Sequence, residues 1–262
     1  MTPSTDTVLY QVAGSLAEIS LNRPETLNAM NEAMVTALHA RLDEAQAAGA
    51  RALLVRGEGR AFCSGRDLSE ADPLNEDGEA ILNEIFNPLF RRIAEFEAPT
   101  FAAVQGACLG TGLGLALACD VIFAADDARI GSPFARIGAV LDSGAHFAFT
   151  QRIGVHRTLE LVYTARMLSG VEAAQCGLVN RSIGREELLR VTRATARLVA
   201  QGPTLAFRES KRLVRGIADG NLSFNESLRA EAAAQGRASR TRDYQEGIAA
   251  FVAKRAVEFG GR

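Results

Sequence analysis

The chain has 262 residues, 47% of them hydrophobic and 23% charged, with a formal net charge of −2. That length suits one large domain, or one domain with an appendage, around a sizeable core. The near-neutral balance gives no electrostatic case for a nucleic acid or an anionic membrane as partner. No apolar run reaches about 18 residues without a charge, so no membrane span is expected.

The opening "MTPSTDTVLYQ" has neither the basic nor the apolar stretch of a leader. Cys63, Cys108, Cys119 and Cys176 form no C-x-x-C pair and no zinc spacing. Both observations point to a cytoplasmic protein with buried free thiols. "TVLYQVAGSLAEISLNRP" predicts two short strands around a Gly14-Ser15 turn, closed by Pro24. Met30, Met34, Leu38, Leu42 and Ala45 then recur at helical spacing, with Gly49 where a C-terminal cap belongs. "ARALLVRGEG", "APTFAAVQG" and "DVIFAA" are predicted buried strands, and their alternation with helices indicates an α/β layout. After about residue 185 the pattern is helical and rich in Arg, Ala and Glu. Pro203 begins one helix, and Ser223 with Glu226 matches a capping box for the next. "RDYQEGIAAFVAKR" predicts a last amphipathic helix with Ile248, Phe251 and Val252 on one face. Such a tail must pack on its own core or on a neighbouring subunit.

Two glycine-rich turns follow predicted strands: "GRAFCSGRDLSE" (59–70) and "VQGACLGTGLGLALACD" (104–120). A strand, a glycine turn and a helix leave unpaired backbone N–H groups facing open space, which is how a phosphate or an oxyanion is held. Either turn is also readable as a tight connection only. The second is close to a dinucleotide fingerprint, but Gly110, Gly112 and Gly114 give G-x-G-x-G in mid-chain. No Gly-Lys-Ser/Thr follows, and no G-x-S-x-G elbow accompanies Ser143. The three histidines are scattered. Asp142, in "FARIGAVLDSGAHF", is a lone carboxylate among apolar and small residues. Its Asp-Ser-Gly context suits a turn former, and its apolar surroundings suit an acid/base.

"NRPETLNAM" (22–30), "GRAFCSGRDL", "PTFAAVQGACLGTGLGLALACDVIFAADDARIGSP", "LSGVEAAQCGLVN" and "EGIAAFVAKRAVEF" resemble, in order and spacing, the enoyl-CoA hydratase/isomerase (crotonase) superfamily. The resemblance runs from about residue 8 to 260. It implies an α/β fold, the crotonase-like β-β-α superhelix (ClpP/crotonase fold). A spiral core over 1–200 and a C-terminal helical trimerisation region over 201–262 would follow, giving a homotrimer or a dimer of trimers. It further implies an acyl-CoA thioester substrate whose carbonyl oxygen sits between two backbone N–H groups. By motif position these belong to Arg66 and Thr111, where family members usually carry small residues. Two such donors stabilise an enolate, and no metal or redox cofactor is required, coenzyme A being part of the substrate. Arg23 and Lys254 or Arg255 are candidates for the CoA phosphates. Ser64, Asp67 and Leu68 would line the pantetheine channel, with Asp67 also a candidate loop cap. Gly110 and Phe134 complete the expected substrate-binding set.

The departure from the family concerns acids. Its hydratases use two glutamates, and those positions hold Gly114 and Phe134 here. Family isomerases place an aspartate where this chain has Asp142, often as "PDSG" against "LDSG" here. The Phe134–Asp142 combination, "PTLAFRESK" and "RDYQEGIAAFVAKR" look most like the phenylacetate-pathway branch. The expectation is therefore a Δ3-to-Δ2 enoyl-CoA isomerase, or an isomerase of a related CoA thioester, with Asp142 as proton shuttle. A hydratase with an unrecognised acid, a CoA-binding paralogue without catalysis and a Rossmann protein are the alternatives.

Overall fold

A computed structural model of the chain describes residues 6–69, 71–72 and 74–262. The first residues of the leader reading, 1–5, lie outside it. Strands β1 (Val8–Ala13) and β2 (Leu16–Leu21) form the expected hairpin, closed by the Gly14-Ser15 turn. β2 then pairs in parallel with β3 (Ala52–Gly57), β3 with β4 (Thr100–Val104), β4 with β6 (Val121–Ala125) and β6 with β8 (Arg181–Ile183). The sheet therefore runs β1-β2-β3-β4-β6-β8. Its inner strands "LAEISL" and "TFAAV" are buried at every position, which is why they read as unbroken runs rather than alternating ones.

A second, smaller layer explains the spiral. β5 (Ala107–Leu109) pairs in parallel with β7 (Arg129–Gly131), and single bridges extend this ribbon from Met30 to Arg66, from Cys63 to Cys108 and from Ile130 to Leu168. Each turn of chain thus gives one strand to the large sheet, one extended piece to the small layer, and then a helix. The first turn supplies α1 (Glu32–Ala47), capped by Asn31. The next supplies α2 (Gly78–Ile81), which runs through one π-type turn into α3 (Asn87–Ala94). The third supplies α4 (Thr111–Ala118), and the fourth α5 (Ala145–Ile153), α6 (Val155–Thr164) and α7 (Gly170–Gln175).

Helix α8 (Arg185–Ala200) covers the large sheet with Leu188, Thr192, Ala196 and Ala200, one residue per turn. It is also tied to β2 by Glu18, which is buried and takes two hydrogen bonds from Arg193 and one from Arg56. Helices α9 (Thr204–Ala218), α10 (Phe224–Ala238) and α11 (Arg242–Ala253) follow, with the expected Ser223–Glu226 capping box. They reach the core through polar anchors. Lys211 donates to the Phe96 carbonyl and pairs with Asp120, and Arg51 donates to Thr204 and to the Gly202 and Phe259 carbonyls. Among the described residues nothing covers the tip of the apolar face of α11: Phe251 is 83% and Val252 75% exposed. Of the described residues, no helix is long and apolar enough to cross a membrane.

Candidate active site

The two glycine turns meet at the edge of the small layer. Met30 N–H donates to the Gly65 carbonyl and Asp67 N–H to the Met30 carbonyl. Bonding on both sides of Arg66 turns its own N–H the other way. On that side stands the second turn, because a Cβ on Gly65 would lie 3.1 Å from the Leu109 carbonyl oxygen. Gly110, with φ +50° and ψ −122°, takes a shape that L side chains rarely adopt and starts α4 at Thr111. As the first residue of the helix, Thr111 has an N–H with no intrahelical partner. Among the described residues no acceptor takes the N–H of Arg66 or of Thr111. The Thr111 hydroxyl is buried and equally without a partner.

The spacing G-x-G-x-G acquires a physical reason here. Gly110 makes the turn, while Gly112 and Gly114 let α4 approach its neighbours closely. A Cβ on Gly112 would stand 2.6 Å from the Cβ of Cys63, and one on Gly114 would stand 2.3 Å from the Cβ of Ser143. The position that carries a glutamate in hydratases is thus occupied from outside by the Asp142-Ser143 turn. Gly114 lies one helical turn beyond Thr111, so this turn sits only about 4.5 Å further along the axis. The other glutamate position, Phe134, presses its ring on Gly110, 3.1 Å from where a Cβ would be.

Asp142 is half-buried, and Ser143, held at φ +58°, donates its hydroxyl to Asp142 Oδ1 at 2.7 Å. Burial raises the Asp142 pKa, while the Ser143 hydrogen bond and His146 pull it partly back. The result is a carboxylate disposed to take up a proton.

The remaining expected residues fall into two groups. Arg23 Nη1 donates to the Ala29 carbonyl and to Asp67 Oδ2, both at 2.7 Å, so it fastens the "NRP" loop to the "SGRDL" loop. Asp67 Oδ1 accepts from the N–H and the hydroxyl of Ser69, the geometry of a loop cap. Ser64 donates its N–H to Leu27, and Leu68 stands exposed beside the pair. Lys254, by contrast, lies at the exposed end of α11, without a paired carboxylate among the described residues, and the structure does not bring it to this cluster. Two participants escape the sequence. Ser143 could have been suspected from Asp-Ser-Gly alone. Glu76 gave no signal, yet it grips both Arg66 nitrogens at 2.6 and 2.7 Å and draws that long side chain to itself.

The chain is similar to known proteins over nearly its whole length. A family model described as enoyl-CoA hydratase/isomerase matches residues 11–262. A Rhodobacter capsulatus protein named probable enoyl-CoA hydratase is 36% identical over 99% of this chain and 100% of its own. A 1,2-epoxyphenylacetyl-CoA isomerase of Escherichia coli is 32% identical over 97% of this chain and 98% of its own. The crystal structure of an enoyl-CoA hydratase from Bacillus anthracis superposes with a TM-score of 0.90 at 28% identity, covering 98% of this chain and 100% of the other.

Proposed function

Since the chain belongs to the enoyl-CoA hydratase/isomerase family and carries its fold, we propose that it is an isomerase of enoyl-CoA or a related CoA thioester, working through Asp142. The thioester oxygen is held by the Arg66 and Thr111 N–H groups. Their hydrogen bonds strengthen as charge moves onto that oxygen, each worth roughly 3–4 kcal/mol in the transition state. Asp142 removes a proton from C2 of a 3-enoyl thioester, and the electron pair of that bond moves through C1 onto the held oxygen, giving a dienolate conjugated with the C3–C4 double bond. The same carboxyl returns the proton at C4 as the double bond re-forms between C2 and C3. One group with an elevated pKa serves both halves.

The observation that carries this reading is the Gly114–Ser143 contact. Adding water needs one group to direct it and another to supply a proton, and this contact leaves no room at the first glutamate position. Most named relatives are hydratases, however, and hydration is the second reading. The likeness to the phenylacetate-pathway branch supports a ring-CoA substrate alongside aliphatic ones. The uncovered face of α11 supports a trimer or a dimer of trimers, in which Lys254 of one subunit would reach the CoA phosphates bound to another.

The test supplies 3-enoyl-CoA and 2-enoyl-CoA separately and follows isomerisation and hydration apart. The proposal expects rapid isomerisation and slow hydration. Hydration as fast as isomerisation would overturn it.

A further inference from the structure

A groove of about 700 Å³ opens beside the Asp142-Ser143 turn, with its walls on four helices. Gly114 and Ser143 form its near end. From there α4 and α5 line it with residues spaced by single turns, Leu117 and Ala118 on one and Phe147, Ala148, Gln151 and Arg152 on the other. Val214 of α9 adds to the apolar middle. The far end is different. There Lys211 and Arg215 pair with Asp120, and Arg152 stands close enough to feel both Asp120 and Arg215. Arg91 and Asp219 also line the groove, both exposed, so four cations face two carboxylates there.

The far end is short of negative charge. Asp120 accepts from Lys211 and Arg215 at 2.8 Å each, and Arg152 beside them has no carboxylate partner among the described residues. Arg215 uses only Nη2, on Asp120 and the Ala118 carbonyl, and Arg152 only Nη1, on the Leu178 carbonyl, among the described residues. Several guanidinium N–H groups remain available to a new acceptor. Burial and the neighbouring Arg215 weaken the hold of Arg152 on its proton, as expected where like charges meet without enough counter-charge.

Resting on the reading of Arg66 and Thr111 as the thioester cradle, we propose that this groove receives the acyl tail and selects chains that end in a carboxylate. Gly144 to Arg152 spans eight residues of helix, about 12 Å. An extended chain advancing about 1.2 Å per bond covers that with roughly ten carbons. Its methylenes would lie on Leu117, Phe147 and Val214, and its terminal carboxylate would supply a further anion for Arg152, Lys211 and Arg215, with planar, bidentate geometry open to Arg215.

Calorimetry with decanoyl-CoA and with the CoA monothioester of decanedioic acid tests this without turnover, since neither ligand has a double bond to shift. The expected result is about ten- to hundredfold tighter binding of the carboxylate-ended ligand, with the gap narrowing as salt rises. Arg215→Gln should bring the two affinities within about threefold, and Arg215→Lys should keep a preference. Should Arg215→Gln fail to fold, Val214→Glu, at an exposed position, sets a negative charge along the tail and should abolish or invert the preference. Equal or weaker binding of the carboxylate-ended ligand by the unmodified protein overturns the proposal, as does a preference untouched by these variants. Turnover of 3-decenoyl-CoA separates the two readings. Isomerisation with no carboxylate preference defeats the tail site alone, while the preference without isomerisation defeats the reaction assigned to Asp142.

Discussion

A Cβ placed on Gly114 would lie 2.3 Å from the Cβ of Ser143 and 2.8 Å from its carbonyl oxygen, closer than such atoms can come. The glycine in α4 and the positive-φ turn that carries Asp142 therefore occupy one another's space. Gly114→Ala should push that turn aside, costing at least about 1–3 kcal/mol of stability by overpacking. It should reduce turnover more than it reduces acyl-CoA affinity. Restoring both glutamates at Gly114 and Phe134 should give no hydratase, because the first side chain has nowhere to go. A chemical melt of Gly114→Ala beside its steady-state kinetics checks the point, and a normal melt with normal turnover would refute the coupling.

Asp142→Asn keeps the size of the side chain and removes its capacity to carry a proton. Turnover should fall by roughly 10²–10⁴-fold while acyl-CoA affinity holds. The folded pKa is raised, so any stability this group contributes is present below the unfolded value of 3.8 and lost as pH rises through the folded one. The asparagine variant should consequently melt no lower than the parent at neutral pH. Because the Ser143 hydroxyl draws the Asp142 pKa down, Ser143→Ala should move the acid limb of the pH–rate profile upward. An acid limb that stays in place, with turnover surviving Asp142→Asn, removes the carboxyl from the reaction.

On the proposed mechanism Arg66 serves through its main chain. Arg66→Ala leaves the N–H in place and breaks only the partly exposed pair with Glu76. Surface pairs of this kind contribute little, so turnover should stay within about threefold of the parent. A hundredfold loss would mean that the guanidinium itself meets the substrate.

Glu18 holds a different kind of pair. Burial opposes its ionisation, but the hydrogen bonds from Arg193 and Arg56 outweigh it and hold its pKa below the usual 4.5. Glu18→Gln leaves Arg193 of α8 without its carboxylate, while Arg56 keeps Glu58, and should cost about 3 kcal/mol. In the unmodified protein the contribution is present above the unfolded pKa and lost as pH falls through the folded one. Urea melts between neutral pH and about pH 3 should show it, and the variant should lack that component of the acid sensitivity.

Phe251→Glu addresses assembly. If the bare face of α11 meets another subunit, light scattering should show a smaller particle than the parent, at unchanged secondary structure. A parent that is monomeric at micromolar concentration would remove the trimer.

Much of this was legible because backbone geometry leaves local marks. The Gly14-Ser15 hairpin, the helix carrying Met34 to Ala45 and the Ser223–Glu226 box are set by residues a few positions apart, although Met30 itself pairs with Arg66 ahead of that helix. The three-residue strands β5, β7 and β8 left no such mark, since each is held by partners far along the chain. The same holds at the site. "SGRDL" and "LGTGL" announce where amides are freed, whereas the grip of Glu76 on Arg66 crosses a loop with no periodicity to betray it. Arg23 shows the limit from the other side: it reads as a free cation for CoA, and only the fold shows its Nη1 fastened to Asp67 and a carbonyl. Likewise, Gly114 read as a missing acid, and only the fold shows that the space is taken.

The small layer behind the Gly65-Arg66 turn also governs thiol chemistry. Cys63, Cys108 and Cys119 are buried, and burial lifts Cys63 and Cys119 to about 12 and Cys108 well above its ordinary value. Cys176 alone of the four is partly open. An alkylating reagent added to the folded protein therefore has one sulfur to find, and the other three become reachable only when strand 63–66, β5 and α4 come apart. Their labelling rate is a built-in clock for the opening of that layer, readable by mass alone and without any engineered probe.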